Sequence, residues 1–175
     1  MQLAVLEGQE AVIIERLSAP EAPELVSQVG GRLPLHCTGV GKVLLSHGGA
    51  ELIETVLSGE LREYLPRSIV APEVLRKEIA DCRHTGTATV REELTPGTDS
   101  VATRIVNGEG RVVAALSVVV RTDSVKHQAV LPSVIASGLG MSRSSAGALA
   151  SKSATADHLS AEEAGRASHC RSSCA

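Results

Sequence analysis

The sequence predicts an α+β fold in which an antiparallel sheet carries helices on its faces. Segments with the apolar patterns of strands form two groups, over residues 3–17 and 87–121, and segments with helical spacing lie between and after them. Within each group the strands follow one another through short Gly-containing turns, which is how antiparallel neighbours are joined. Aromatic residues make up only 1% of the chain, with Tyr64 the single example, so the core must be aliphatic.

Length and charge exclude several classes of protein. A chain of 175 residues is long enough for one domain with a substantial core. A net charge of −3 and a pI near 6.1 argue against this chain binding a nucleic-acid backbone by itself, because such binding needs a basic face to contact the phosphates. The apolar runs are far shorter than the roughly 20 residues that cross a bilayer, and no basic-then-apolar leader opens the chain. We therefore expect a cytoplasmic protein with no membrane partner.

The first elements are an antiparallel hairpin and a loop. Residues 3–6 and 11–17 read as strands joined by a tight turn at Gly8. The strand pattern begins with almost no lead-in, which suggests a chain cut at a domain boundary. Residues 18–31 contain two prolines and a double glycine and are predicted to be a connecting loop. We expect this loop to place Leu25 against a neighbouring element as one wall of a pocket.

Residues 32–46, R-L-P-L-H-C-T-G-V-G-K-V-L-L-S, predict a loop that leads into a helix with Thr38 as its N-cap. Three aliphatic residues then recur at the spacing of one buried helix face: Val40, Val43 and Leu44. Gly39 and Gly41 leave the backbone N–H groups of the first turn unshielded, so a carboxylate can be held there by the amides and the helix dipole. The alternative is that both glycines only let the helix pack closely against a strand.

The rest of the chain alternates helical and strand patterns. Pro72 at a first helical position and Gly86 as a terminator mark the clearest helix. Residues 112–120 are apolar on both faces apart from Ser117, which predicts a central strand with one hydroxyl facing a cavity, or else a small residue bonded to backbone. The predicted helices are residues 39–48, 50–57, 72–82 and 123–141, with a further turn over 61–65. The predicted strands are residues 87–93, 100–106 and 111–121.

The cysteines and histidines predict neither a disulfide framework nor a metal site. The four cysteines are too few and too scattered for a framework in a chain of this size, so we expect reduced thiols. The possible metal ligands His169, Cys170 and Cys174 lie in a Ser/Ala-rich segment without a matching second ligand pair. That segment, residues 144–175, is predicted to be a disordered tail. We predict no cofactor.

Four blocks of sequence together resemble the IclR family of bacterial transcriptional regulators. L-P-L-H-C-T-G-V-G-K at 33–42 is similar to the family's usual L-P-L-H-x-T-A-x-G-K. P-E-V-L-R-K-E-I, T-V-R-E-E-L-T-P-G-T-D-S-V-A and G-R-V-V-A-A-L-S-V resemble later blocks of the family in the same order and at the same spacing. The match runs over residues 3–143. The resemblance implies a GAF-like effector-binding domain over residues 1–143.

The resemblance also implies a function. In such regulators this domain follows an N-terminal winged helix-turn-helix, which is not in this sequence, so DNA would be contacted only through that absent domain. It implies a homo-oligomer, no enzymatic activity, and a small organic acid bound between the helix start and the sheet. Carried over position by position, the ligand-binding residues are Gly39, Val40, Ser100 and Ser117, with Leu25 on the apolar side.

Two positions depart from carboxylate-binding relatives. Val90 stands where some of them carry an acidic residue, and Val119 stands where they have a second serine. Each change removes a polar partner, and a buried polar group without a partner costs about 1–3 kcal/mol. We therefore expect a pocket that prefers a more apolar acid to a very small, highly oxidised one.

Two other functions compete with this interpretation. Cys37 at a helix start, next to His36, can be read as an activated thiolate of a redox or acyl-transfer enzyme. Adjacent residues in an extended loop point to opposite sides, however, which places His36 poorly as a base for that thiol. The second alternative is an oligomerisation module whose cavity binds no ligand. Val90 and Val119 are compatible with this alternative, because each removes a polar partner that a ligand would use.

Overall fold

The computed structural model describes residues 1–20, 28–123 and 129–144. Its strands and helices, in chain order, are β1 (Gln2–Glu7), β2 (Glu10–Arg16), β3 (Arg32–Pro34), α1 (Gly39–His47), α2 (Ala50–Ser58), α3 (Pro72–Thr85), β4 (Thr87–Arg91), β5 (Thr98–Val106), β6 (Val112–Arg121) and α4 (129–144). Within the described residues the strands form one antiparallel sheet in the order β3-β2-β1-β6-β5-β4. The predicted α+β class with an antiparallel sheet is confirmed.

The strands follow the predicted pattern with one addition. β1 and β2 form the expected hairpin, with Gly8 at a φ of 59° in its turn. β6 lies between β1 and β5, which confirms it as a central strand. β3, which pairs with β2 at the edge of the sheet, was not predicted from the sequence. Three residues ending in Pro34 carry too little pattern to predict a strand.

The helices begin and end close to where their capping residues predict. Thr38 caps α1, since its hydroxyl accepts a hydrogen bond from the Gly41 N–H at 3.1 Å. α3 starts at Pro72 and ends before Gly86, which has a φ of 75°. The predicted turn of helix over 61–65 is absent. A turn closes there instead, because the Ser68 hydroxyl accepts from two backbone N–H groups and competes with helical bonding.

The helices cover the two faces of the sheet. α1, α2 and α3 share the larger aliphatic core with the face that carries Ala102 and Ala115. α4 lies on the opposite face, where a Cβ on Gly138 would meet the Thr103 side chain. None of the described helices is long and apolar enough to cross a bilayer. The predicted residue Leu25 and the segment 145–175 lie outside the described residues.

Gly41 permits the closest approach between α1 and the loop that precedes it. A Cβ at this position would lie 2.7 Å from both the Cα and the carbonyl oxygen of Leu35. These are backbone atoms of a buried segment, which cannot move aside without shifting the helix start. For Gly41 the packing interpretation of the glycine pair is therefore the correct one.

Gly41→Ala is expected to destabilise the domain by about 2–3 kcal/mol, because overpacking a closed core forces backbone shifts. Urea unfolding followed by circular dichroism measures the change in midpoint. Gly140→Ala is the matched control, since a Cβ there meets nothing within 4 Å and the residue is helical. The control should be neutral or stabilising by up to about 1 kcal/mol. Equal midpoints for both variants would contradict the packing argument.

Lys42 is a buried cation that joins α1 to two other elements. Its side chain is 1% exposed, and its Nζ lies 2.8 Å from Glu93 Oε1 in the loop after β4. The same Nζ lies 3.5 Å from Oε2 of Glu78 on α3, a carboxylate that is 46% exposed. Since a buried ammonium needs a carboxylate beside it, this contact fixes the loop after β4 against the helix.

Lys42→Met is expected to destabilise the domain by about 3–5 kcal/mol, because it leaves the buried Glu93 carboxylate without its counter-ion. The double variant Lys42→Met/Glu93→Met should return to within about 1 kcal/mol of the parent, since a hydrophobic pair can replace a buried ion pair. Urea unfolding measures both. Lys77→Met, on the exposed side of α3, is the control and should change little. A single variant as stable as the parent would show that the pair contributes nothing.

Candidate functional site

A small cavity lies between the start of α1 and the sheet. Its volume is about 50 Å³. Its walls are the 37–40 segment at the helix start, the loop after β4 with Glu93 and Thr95, and the face of the sheet, to which β4, β5 and β6 contribute most and β1 and β3 contribute Gln2 and Leu33. The cavity combines backbone amides, hydroxyls and one carboxylate with aliphatic side chains, which is the make-up of a binding site for a small polar molecule.

Strand register arranges the sheet side of the cavity in two rows. Val90, Ser100 and Val119 lie opposite one another on β4, β5 and β6. In the next row Ser117 lies between Ala102 on β5 and Gln2 on β1. Positions two apart on a strand share a face, so the hydroxyls of both rows point to the same side as the start of α1.

Six of the seven sequence-predicted site residues line this one cavity. They are Gly39, Val40, Val90, Ser100, Ser117 and Val119. Leu25 lies outside the described residues. The two valines that depart from the family pattern are thus beside the predicted hydroxyls, and contact of each residue with a ligand stays a prediction.

The helix start presents two backbone N–H groups at the cavity. Thr38 occupies the next two, because its hydroxyl accepts from Gly41 N–H and its carbonyl from Lys42 N–H. No described residue accepts from the N–H groups of Gly39 and Val40, and both residues line the cavity. Amides at the positive end of a helix dipole favour an anion.

Gly39 serves packing as well. A Cβ at this position would lie 2.9 Å from Ser100 Oγ and 3.1 Å from the Ala102 Cβ. A side chain would therefore press on β5 and enter the space between the helix start and the Ser100 hydroxyl. Close packing therefore describes this glycine, and contact of its amide with a ligand stays a prediction.

Glu93 is the main residue of the candidate site that was not predicted from the sequence. Its side chain is 8% exposed, one oxygen binds Lys42, and Oε2 is buried with no hydrogen-bond partner in the described part of the chain. Burial raises the pKa of this carboxyl and the Lys42 ammonium lowers it, with a net upward shift. The local pattern of charged residues, R-E-E-L-T-P-G, is typical of an exposed loop and gives no sign that Glu93 is buried. The signal that could have revealed a buried carboxylate was Lys42, because a lysine in a buried helix requires an acidic partner.

Cys37 lines the cavity, but its thiol is not activated. Burial, and then the nearby Glu93 carboxylate, raise the pKa of Cys37 to about 12. His36 faces away, and its Nε2–H donates to the Arg62 carbonyl at 2.9 Å. Cys82, also buried, has its pKa raised by the same loss of solvation. The helix start therefore does not form a Cys–His pair.

A second, wider space lies at the other end of α1. This groove of about 430 Å³ runs between β5 and α4, and His47 and Arg104 line it. The Arg104 guanidinium donates to His47 Nε2 at 3.3 Å, and burial lowers the pKa of that imidazole. Its polar groups are thus engaged with one another, unlike those at the start of α1.

Across residues 1–20, 28–123 and 129–144, no three His, Cys, Asp or Glu side chains lie close enough to hold a metal.

Comparison with known proteins gives consistent matches. Residues 1–143 match the family described as bacterial transcriptional regulator IclR, C-terminal. The chain is 36% identical over 124 residues to the HTH-type transcriptional regulator XynR of Escherichia coli, covering 70% of this chain and 49% of that protein. The chain thus spans about half the length of the curated relatives that it matches.

Solved structures agree with the fold. An IclR homolog from Microbacterium hydrocarbonoxydans complexed with 4-hydroxybenzoate has a TM-score of 0.77 and 34% identity, covering 81% of this chain and 58% of that one. The inducer-binding domain of a double mutant of PobR from Acinetobacter, with 3-hydroxybenzoic acid, has a TM-score of 0.67 and 29% identity, with 85% of each chain covered. This chain belongs to the IclR family of bacterial transcriptional regulators, whose C-terminal family model its residues 1–143 match.

Proposed function

We propose that this domain senses a small organic acid and thereby controls operator binding by the winged helix-turn-helix domain that regulators of this kind carry. The single observation that supports this most is that Gly39 and Val40, from whose N–H groups no described residue accepts a hydrogen bond, both line the cavity. The hydroxybenzoates bound by two relatives are also small acids. Acting on DNA inside a bacterial cell would place the protein in the cytoplasm.

The carboxylate of the acid would sit on the two amides at the start of α1. Hydrogen bonds to a charged group are each worth about 1.5–3 kcal/mol, and the surrounding low dielectric strengthens them. Ser100 or Ser117 would donate a further hydroxyl hydrogen bond from the sheet. The row that carries Ser100 also carries Val90 and Val119, which would pack against the hydrocarbon part of the ligand.

The cavity volume restricts the size of the acid. One buried water needs about 10–15 Å³ on this measure, so the 50 Å³ present would hold roughly three to five waters or an acid about as small as acetate, and a larger acid would require the cavity to enlarge. An apolar cavity of about 150 Å³ accepts a benzene ring, so an aromatic acid would require this one to enlarge. Short aliphatic acids are the expected class.

Binding would act on DNA through a population shift. A ligand that binds one arrangement of the subunits or domains more tightly than another moves the equilibrium towards it. We propose a homo-oligomer as the assembly in which this shift occurs.

Calorimetric titration with acetate, propanoate, butanoate, glyoxylate, benzoate and 4-hydroxybenzoate tests the proposal. Acetate or propanoate should release heat and bind more tightly than glyoxylate. Gly39→Ala should weaken the best acid at least about tenfold, because the methyl group enters the space before Ser100. Gly140→Ala, far from the cavity, should bind as the parent does. No heat from any acid would favour an oligomerisation module.

Alkylation separates the sensor from a thiol enzyme. At pH 7 a thiol with a pKa of about 12 is ionised in roughly one molecule in 100,000, so Cys37 should resist iodoacetamide in the native state. Peptide mass spectrometry should find Cys37 and Cys82 modified only after unfolding in urea. Rapid modification of Cys37 at neutral pH, with Cys82 protected, would restore the enzyme hypothesis.

A further inference from the structure

Arg104 carries a positive charge that no carboxylate in the described part of the chain balances. It belongs to β5, is half-buried, and lines the groove between β5 and α4. Neither Arg104 nor Arg83, which lies at the same end of α1, forms an ion pair with a described acid. Arg83 Nε instead donates to the neutral carbonyl of Ser46 at 2.6 Å. This end of α1 is therefore positive in a chain whose net charge is −3.

His47 orients the Arg104 guanidinium without balancing its charge. The imidazole Nδ1 lies 3.0 Å from the Val43 carbonyl oxygen, and Nε2 lies 3.3 Å from Nη1 of Arg104. A carbonyl only accepts and a guanidinium only donates, so Nδ1 carries the proton and Nε2 is the acceptor. Burial, followed by the charges of the two arginines, lowers the pKa of His47. The imidazole is therefore neutral at pH 7.

The guanidinium is held in a fixed position and keeps donors to spare. A Cβ on Gly86 would lie 2.9 Å from both Nε and Cζ of Arg104, so the planar group rests on the backbone of the turn before β4. Its hydrogen bond to His47 uses one N–H group, and no described residue accepts from the others. A fixed guanidinium presents pairs of N–H groups that match the two oxygens of a carboxylate.

The walls of the groove are largely aliphatic. Four such side chains line it: Val106, Val112, Ile135 and Leu139. α4 is fastened to the sheet here, because the Val106 N–H donates to the Ser142 hydroxyl at 3.0 Å. The groove has a volume of about 430 Å³, whereas about 150 Å³ is enough for a benzene ring. One cation beside aliphatic walls fits an organic anion with a hydrocarbon part better than an inorganic anion.

We propose that this groove is a second ligand site, in which Arg104 binds the carboxylate of an organic acid while the hydrocarbon part of the acid packs against α4. The acid has a hydrocarbon part the size of a benzene ring or a chain of about six carbons. The groove shares no lining residue with the cavity at the start of α1. The second site is therefore independent of the proposed function.

Calorimetric titration of the unaltered chain with hexanoate, octanoate, hexanamide and inorganic phosphate tests the chemistry of the site. Hexanoate should bind at least about tenfold more tightly than hexanamide, which has the same chain without the charge. It should exceed inorganic phosphate by a similar factor, because phosphate has no hydrocarbon part. Octanoate should bind more tightly still. Hexanamide or phosphate binding as tightly as hexanoate would overturn the class of ligand.

Matched variants assign the binding to the groove. Arg104→Gln should weaken hexanoate about tenfold or more, because it removes the charged donor. Arg67→Gln is the control, since it removes the same charge from a side chain that is 60% exposed and does not line the groove. Circular dichroism checks that each variant is folded. Equal affinities in the two variants would overturn the role of Arg104.

A second pair of variants tests the aliphatic wall and does not depend on whether Arg104→Gln folds. Leu139 and Met141 are both exposed on α4, but only Leu139 lines the groove. Leu139→Gln should weaken octanoate about threefold or more, because it removes apolar contact with the chain of the acid. Met141→Gln should bind as the parent does. Equal affinity in both variants would contradict packing against α4.

The outcomes distinguish this site from the cavity at the start of α1. Hexanoate binding that survives Arg104→Gln and is lost in Gly39→Ala would place the acid in that cavity and overturn the second site. Absence of binding by hexanoate and octanoate also overturns the second site, and it leaves the sensing of a smaller acid at the start of α1 standing.

Discussion

The buried ammonium of Lys42 constrains the whole arrangement around the cavity. It can be buried only with a carboxylate beside it, and Glu93 supplies one from the loop after β4. Because Lys42 lies one helical turn after Gly39, the same contact fixes the start of α1 over β5. A helix start, a loop and the face of the sheet are thereby held around a small space that none of them would enclose alone.

The range of the interactions explains which parts of the fold and of the candidate site could be predicted from the sequence. Thr38 caps α1, Pro72 and Gly86 bound α3, and the alternating strands are readable because caps, turns and periodicity act over a few residues. The role of Glu93 depends on a partner 51 residues away and is invisible to patterns of that kind. β3 was not predicted because its pairing with β2, rather than its own composition, makes it a strand.

The cavity has chemically distinct sides, and both follow from register. The amides of Gly39 and Val40 and the Glu93 carboxylate form its polar parts, while valines on β4 and β6 flank the Ser100 hydroxyl. The sequence predicted these sheet residues as a set because the family resemblance carried them over one by one. It could not predict their distances, which depend on how closely a glycine lets the helix approach the strand.

Both ends of α1 are held on β5, by the tight contact of Gly39 at one end and by the hydrogen bond between His47 and Arg104 at the other. The helix is therefore a fixed wall. The facing loop is closed on itself, since Gly97 N–H donates to the Glu92 carboxylate at 2.9 Å, and both residues have positive φ angles. The same loop is held to α1 by the ion pair between Lys42 and Glu93, so both walls of the cavity are fixed and the space between them is preformed.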